Sequence, residues 1–288
     1  MRHMSHMAAL TRREREIMNA LFALGNFNEA SLKYQGALGL IAKQKIINDM
    51  LEAEVYNSLG KSFYKLGDFE QSTNALKNAV KKNEKYSDAY YNRGLSYYSS
   101  GKLDDAISDL NKSLSIDSKN LYAYYYLAKA YQAVKKYPDA VMYYTFTINK
   151  DSNHVFNDVV SNRGISAYEM KDFKAALPDF QAMQRAGLDS ANPAFNYQMG
   201  TIYLNQTPPV SDSAVYFFTK VIEANSADGN AAYGLGIAYV QKGRVDDAIT
   251  WLDKTLQSKV TSAKKLKNDS RITTIQDDKR FKDLIKKY

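Results

Sequence analysis

Apolar and small residues recur along the chain three or four positions apart, and the same arrangement returns at a fixed longer interval. In the stretch from Ala89, AYYNRGLSYYSSGKLDDAISDLNKSL, this spacing predicts two short helices joined by a polar turn. One small residue marks the first helix of each unit, at Gly60, Gly94, Ala128, Gly164, Gly200 and Gly236, separated by 34, 34, 36, 36 and 36 residues. A second series, Ser72, Ala106, Ala140, Ala176, Ala214 and Ala248, follows twelve residues behind, stretching to fourteen only before Ala214. With each unit numbered from its first residue, the first series occupies position 8. Position 4 is Tyr56, Tyr90, Tyr124, Val160, Asn196 and Ala232, and position 11 is Phe63, Tyr97, Tyr131, Ala167, Tyr203 and Tyr239. Positions 4, 8 and 11 share one helix face, so a gap between two larger residues lets a second helix approach closely. Such a period predicts an all-α helical solenoid in which each unit buries its apolar face on its neighbours.

These positions resemble the tetratricopeptide repeat family, most closely at Tyr56, Leu59, Gly60, Phe63, Leu76 and Ala79. The resemblance covers roughly residues 11 to 262 and implies a right-handed superhelical solenoid of antiparallel helix pairs. Six repeats are assigned to 53–86, 87–120, 121–154, 157–190, 193–228 and 229–262. A degenerate first repeat with an extended second helix occupies 11–52, where Gly25, Phe27, Ala30, Tyr34 and Ala37 fit the pattern but Met18 replaces the glycine. Residues 263–288 form a basic capping segment, whose stretch DDKRFKDLIKKY places Phe281, Leu284 and Ile285 at the spacing of an amphipathic helix. Two features predict irregularity. The turn NQTPPVSD from Asn205 carries two extra residues and two prolines and is expected to protrude, and Pro178 falls inside the second helix of the fourth repeat.

Charge is concentrated at the ends of the 288-residue chain. The formal net charge of +8 divides into +2 over residues 1–52, zero over 53–256 and +6 over 257–288. A neutral repeat body argues against a nucleic-acid groove. Membrane-surface attachment through the basic tail is retained as an alternative. Cysteine is absent, which removes thiolate metal sites and a cysteine nucleophile. The opening MRHMSHM reads as vector-derived or disordered sequence over residues 1–10, leaving His154 as the one remaining histidine. No phosphate-binding loop, nucleophile elbow or HExxH pair is present, so neither catalysis, a cofactor nor a bound metal is expected. A cytoplasmic location follows from the literal sequence, and a periplasmic or membrane-anchored one if a native signal has been removed.

The resemblance also implies where a partner would bind. In this family the first helix of each repeat lines a concave groove, with positions 2, 5, 6, 9 and 12 facing the ligand. Here those positions include Tyr91, Asn92, Leu95 and Tyr98 in the second repeat and Tyr122, Tyr125, Tyr126 and Lys129 in the third. The fourth supplies Asn162, Ile165 and Tyr168, and the fifth Tyr197, Gln198 and Thr201. Tyrosine offers a rigid apolar body with a polar tip, and amides both donate to and accept from a peptide backbone. The family's clamp for a C-terminal carboxylate is incomplete, since Tyr122 and Tyr126 stand where it requires Lys and Arg. The expectation is therefore a non-catalytic protein–protein interaction scaffold that binds an extended peptide or a partner helix. Self-association into an assembly is the alternative to it.

Overall fold

The computed structural model describes residues 12–43, 48–187 and 192–288, so the expectation for residues 1–10 lies outside the described residues. Every regular element among the described residues is helical. The chain divides into two compact units, one ending at Phe156 and the other starting at Asn157. The first holds α1 (Arg12–Ala23), α2 (Phe27–Lys43), α3 (Asp49–Lys65), α4 (Phe69–Lys82), α5 (Ser87–Ser99), α6 (Leu103–Ile116), α7 (Leu121–Ala133) and α8 (Tyr137–Lys150). The second holds α9 (Val159–Glu169), α10 (Phe173–Arg185), α11 (Pro193–Leu204), α12 (Ser211–Ala224), α13 (Gly229–Gln241) and α14 (Val245–Gln257). It ends with α15 (Ala263–Lys267), a 3-10 turn (Ser270–Ile275) and α16 (Lys279–Lys287). Within each unit consecutive helices pack as pairs, and successive pairs stack, which is the all-α solenoid architecture the period implied.

The gap at position 8 is filled by the side chain at position 24 of the following helix. Leu76, Leu110, Tyr144, Phe180, Phe218 and Leu252 hold that position, and all six are fully buried. A Cβ placed on Gly94 would lie 2.9 Å from Leu110 Cγ, and one on Gly236 would lie 2.6 Å from Leu252 Cδ2. Ser72 is the polar exception in the second series. Its buried hydroxyl donates to the Gly60 carbonyl at 2.8 Å and lies 2.7 Å from Ser96 Oγ, so the polar group is satisfied.

Turns within the pairs follow from one backbone requirement. The residue two before the second helix takes a left-handed conformation, at Gly67 (φ 79°), Gly101 (77°) and Gly243 (69°), and also at Lys135 (60°) and Lys171 (61°). Only glycine adopts this conformation without a Cβ penalty. Four of the helix starts are capped by short acceptors in the same way. Asp68, Asn120, Asp172 and Asp228 each accept from the backbone N–H three residues on, at 2.8 to 3.1 Å.

At position 7 most repeats bury an apolar residue, but the second and fourth use arginine. Arg93 donates twice to the Asp109 carboxylate, at 2.6 and 2.7 Å, and Arg163 does the same to Asp179, at 2.8 and 2.7 Å. Both aspartates are buried. In the first full repeat the corresponding pair is Leu59 with Ala75.

Three local expectations need adjustment. Residues 49–52 belong to α3, which starts at Asp49 on an Asn48 cap, and not to an extension of the preceding helix; Lys82 grips its added turn through Asp49 (3.0 Å) and Glu52 (2.9 Å). α10 runs through Pro178 without interruption. Pro178 is exposed, so the carbonyl that loses its partner, that of Lys174, is open to water. The proline turn after α11 is exposed at its tip but fastened at its base, where Gln206 Nε2 donates to the carbonyls of Phe173 (3.0 Å) and Ile202 (3.1 Å).

Stability measurements on four variants test these contacts. Gly94→Val is expected to cost about 1–3 kcal/mol through overpacking against Leu110, whereas Lys135→Gly is expected to gain about 0.5–1 kcal/mol by relieving the left-handed turn; chemical denaturation measures both. Asp109→Ala is expected to cost about 3–5 kcal/mol by stranding the Arg93 charge. Combining it with Arg93→Leu recreates the Leu59/Ala75 pair and is expected to restore most of that loss. A double variant no more stable than Asp109→Ala would refute this account of the ion pair.

Candidate functional site

In the first unit the proposed groove residues lie on α5 and α7, whose first-helix positions place them side by side. Tyr98 and Tyr91 pack edge-on to Tyr126, with ring centroids 5.9 and 6.4 Å apart, and Tyr126 meets Tyr125 at 5.2 Å. Tyr122 is 48% exposed, and Tyr91, Tyr98 and Tyr126 are half-buried. Tyr64 extends the strip toward α3, its phenol 3.2 Å from Ser99 Oγ. Burial raises the Tyr91 phenol far above its ordinary value, with Tyr126, Tyr64 and Tyr122 adding to the effect, so it remains a neutral hydrogen-bond donor.

Two of the proposed residues support this surface without forming it. Leu95 is buried, and Tyr125 is only 7% exposed. Phe156 covers Tyr125, stacking on it at 4.1 Å with 14° between the planes, and also meets Tyr122 edge-on at 5.2 Å. Lys129 closes the other side, its Nζ 3.3 Å from the Tyr125 phenol oxygen. Asn92 is engaged in a relay in which its Nδ2 donates to Asn57 Oδ1 at 2.9 Å and Asn57 Nδ2 donates to the Tyr86 phenol at 3.3 Å. That relay braces α5 against α3.

Phe156 was not among the residues singled out by register. It belongs to the two residues, Val155 and Phe156, that lengthen the interval between the third and fourth repeats. The Asp151 carboxylate accepts from the backbone N–H of Val155 at 2.9 Å and of Phe156 at 3.1 Å, while His154 turns the chain with φ 51°. These N–H groups, Val155 first, also hold the Asp151 carboxyl below its usual range. The change from a 34- to a 36-residue interval was the available signal. Its consequence, an aromatic folded back onto Tyr125, depends on the turn geometry.

In the second unit the proposed residues gather around α11. Tyr168, Tyr197 and Gln198, together with Pro193, Ala194, Asp228 and Asn230, line a cavity of about 470 Å³. Thr201 donates to the Tyr197 carbonyl at 2.9 Å and interacts with the phenols of both Tyr168 and Tyr197. Asn162 donates to Asp158 Oδ2 at 2.9 Å, which ties it to the start of its own helix, and Ile165 is half-buried. The rim of this cavity carries the Asp228 carboxylate, already used as the cap of α13.

The basic tail folds onto the second unit. Phe281 and Leu284 are buried in the same cluster as Ile272, Leu252 and Leu235, with Ile285 at its edge. Arg280 pairs with Asp278 at 2.6 Å and with Asp246, and Lys287 pairs with Asp253 at 2.9 Å, so α16 is fastened to α14 by charge as well as by apolar contact. Arg271 is bound to Asp269 at 2.9 Å and lies over the Tyr233 ring. Much of the tail's positive charge therefore faces carboxylates of this chain. Among the described residues no helix is long and apolar enough to cross a membrane.

Comparison with known proteins places this geometry in context. Two family models, each described as tetratricopeptide repeat, match residues 57–120 and 212–267. Among solved structures, YrrB, described as a TPR protein with an unusual peptide-binding site, is 23% identical with a TM-score of 0.51, over 65% of this chain and 93% of that one. A tetratricopeptide repeat protein from Parabacteroides merdae is 14% identical with a TM-score of 0.52, over 95% and 98% of the two chains. The apo form of RapI is 12% identical with a TM-score of 0.52, over 89% and 98%. These likenesses concern the fold. No curated protein matches the chain.

The tail contacts generate a pH dependence. Arg280 holds the Asp278 carboxyl down to about 2, below the unfolded value of about 3.9. A depressed acid contributes stability that is complete above its unfolded pKa and is lost as pH falls through the folded one. Docking of α16 is thus expected to be constant above about pH 5 and to weaken progressively toward about pH 2 and below. Trp251, the single tryptophan, packs against the cluster that receives Phe281, so its fluorescence reports the transition. Asp278→Asn is expected to diminish the loss, leaving the share of Asp253, whose carboxyl is also lowered because its bonds to Lys287 and Tyr288 outweigh its burial.

Proposed function

We propose that this chain, which belongs to the tetratricopeptide repeat family, holds an extended peptide of a partner protein against the tyrosine strip of α5 and α7. The family's repeats make it a protein–protein interaction scaffold. What supports the narrower reading is one observation: four partly exposed phenols lie on neighbouring helices, with Tyr91 and Tyr98 packed on Tyr126, Tyr126 backed by Tyr125, and Tyr122 backed by Phe156. Rigid, partly exposed aromatic side chains lose little conformational entropy on binding and offer both apolar area and a hydrogen-bonding tip. Such a surface suits backbone amides and apolar side chains better than a strongly charged ligand. The half-buried Gln198 and the phenols around α11 offer similar chemistry in the second unit.

Peptides selected from a random library against the full chain provide the test. With fluorescence anisotropy as the readout, Tyr98→Ala combined with Tyr122→Ala is expected to weaken binding by at least about tenfold, as loss of aromatic anchors does, while leaving the melting temperature close to that of the parent. Tyr125→Ala is expected to lower the melting temperature, because that ring is buried under Phe156. Binding unchanged in the Tyr98/Tyr122 variant would move the site off this strip.

A further inference from the structure

The two ends of the chain are finished differently. At the C-terminal end α16 lays an apolar face on the last pair, and its Arg280 and Lys287 pair with Asp246 and Asp253 of α14 at the edge of that face. At the other end the outer side of α1 and α2 carries Ile17, Leu32 and Leu40, which are 45, 66 and 46% exposed, around a cavity of about 700 Å³. Between the two leucines lies Gly36, where an added Cβ would meet nothing within 4 Å. The same repeat position is Asn78, Lys112, Lys220 and Lys254 in four of the later units. Glycine inside an exposed helix costs about 1 kcal/mol relative to alanine, and a bare spot between two leucines lets another helix come close.

We propose that this face of α2 pairs with the same face of a second copy of the chain, in an antiparallel two-fold crossing centred on Gly36. The arrangement of residues commits the surface to that occupant. Leu32 and Leu40 lie four residues on either side of Gly36, and Glu29 and Lys43 lie seven residues on either side. At about 100° per residue all four fall within roughly 40° of Gly36 on the helix circumference. An antiparallel crossing therefore sets Leu32 against the partner's Leu40 and Glu29 against the partner's Lys43, and two-fold symmetry makes each contact twice. A parallel pairing would instead oppose Glu29 to Glu29 and Lys43 to Lys43. The four residues are exposed, so their charges and methyl groups are available to a partner. Ile17, across the groove from α2, provides an apolar wall for the incoming leucines. This surface is separate from the tyrosine strip, and its test does not depend on peptide binding.

Sedimentation equilibrium of the full chain, from low micromolar to several hundred micromolar, is expected to show a reversible monomer–dimer equilibrium. Glu29→Lys and Lys43→Glu are each expected to weaken it by at least about tenfold, with an unchanged helical circular dichroism spectrum, because each opposes like charges. Mixing the two single variants in equal amounts is expected to restore association, since every facing pair is then of opposite sign. The doubly exchanged chain, Glu29→Lys with Lys43→Glu, is expected to dimerise on its own. A monomer at every concentration would overturn the proposal. So would a dimer indifferent to both single variants, or one that mixing fails to restore. A chain that dimerises only after removal of residues 1–11 would assign the groove to the chain's own start and likewise overturn it.

Discussion

From α3 to α14 each helix pair closes where the small residue at position 8 of the first helix receives the side chain at position 24 of the second. Gly94 under Leu110 and Gly236 under Leu252 leave no room for even a methyl group, and the incoming side chains are fully buried. That contact sets the distance between the two helices, which in turn sets which residues of the first helix are left facing away from its mate. The tyrosine strip depends on it. On that face Tyr91 and Tyr98 of α5 each reach the Tyr126 ring of α7 in the next pair. The proposed strip is thus a by-product of a packing rule applied repeatedly.

The same rule tolerates substitutions that keep its geometry. Ala128 with Tyr144 replaces glycine with leucine at one pair; the first pair, with Met18 opposite Tyr34, departs from the rule, its helices touching less extensively and the Tyr34 phenol donating to Asn19 at 2.9 Å. The arginine–aspartate pairs show a different tolerance. Arg93 and Arg163 occupy a position that is apolar in neighbouring repeats, and each is held by a two-pronged bond to a buried carboxylate. A buried charge persists only with its partner, so these pairs constrain the second and fourth repeats more narrowly than leucine would.

Aromatic residues divide into two groups that register alone does not separate. Tyr125 and Tyr126 are adjacent in the chain and both fall at groove positions, yet one is buried under Phe156 and the other stays half-open. Asn92, at a position where an amide could meet a peptide backbone, is bound to Asn57. The proline turn and Pro178 carry the opposite lesson. Both were legible as departures from the pattern, and both are absorbed: the first by Gln206, the second by exposure of the carbonyl it leaves free.

The period of small residues determined the helix pairs, because excluded volume acts locally and each unit repeats the same contact. Its register, read with the tetratricopeptide resemblance, also pointed to the phenols proposed as the strip, since residues at helical spacing share a face. Which of those phenols remain accessible was decided by tertiary structure. Phe156 comes from a turn whose path depends on the Asp151 carboxylate, and the basic tail finds its carboxylates on a helix more than twenty residues earlier in the chain. Contacts between residues distant in sequence carry no period, so they leave no trace in the pattern that reveals the repeats.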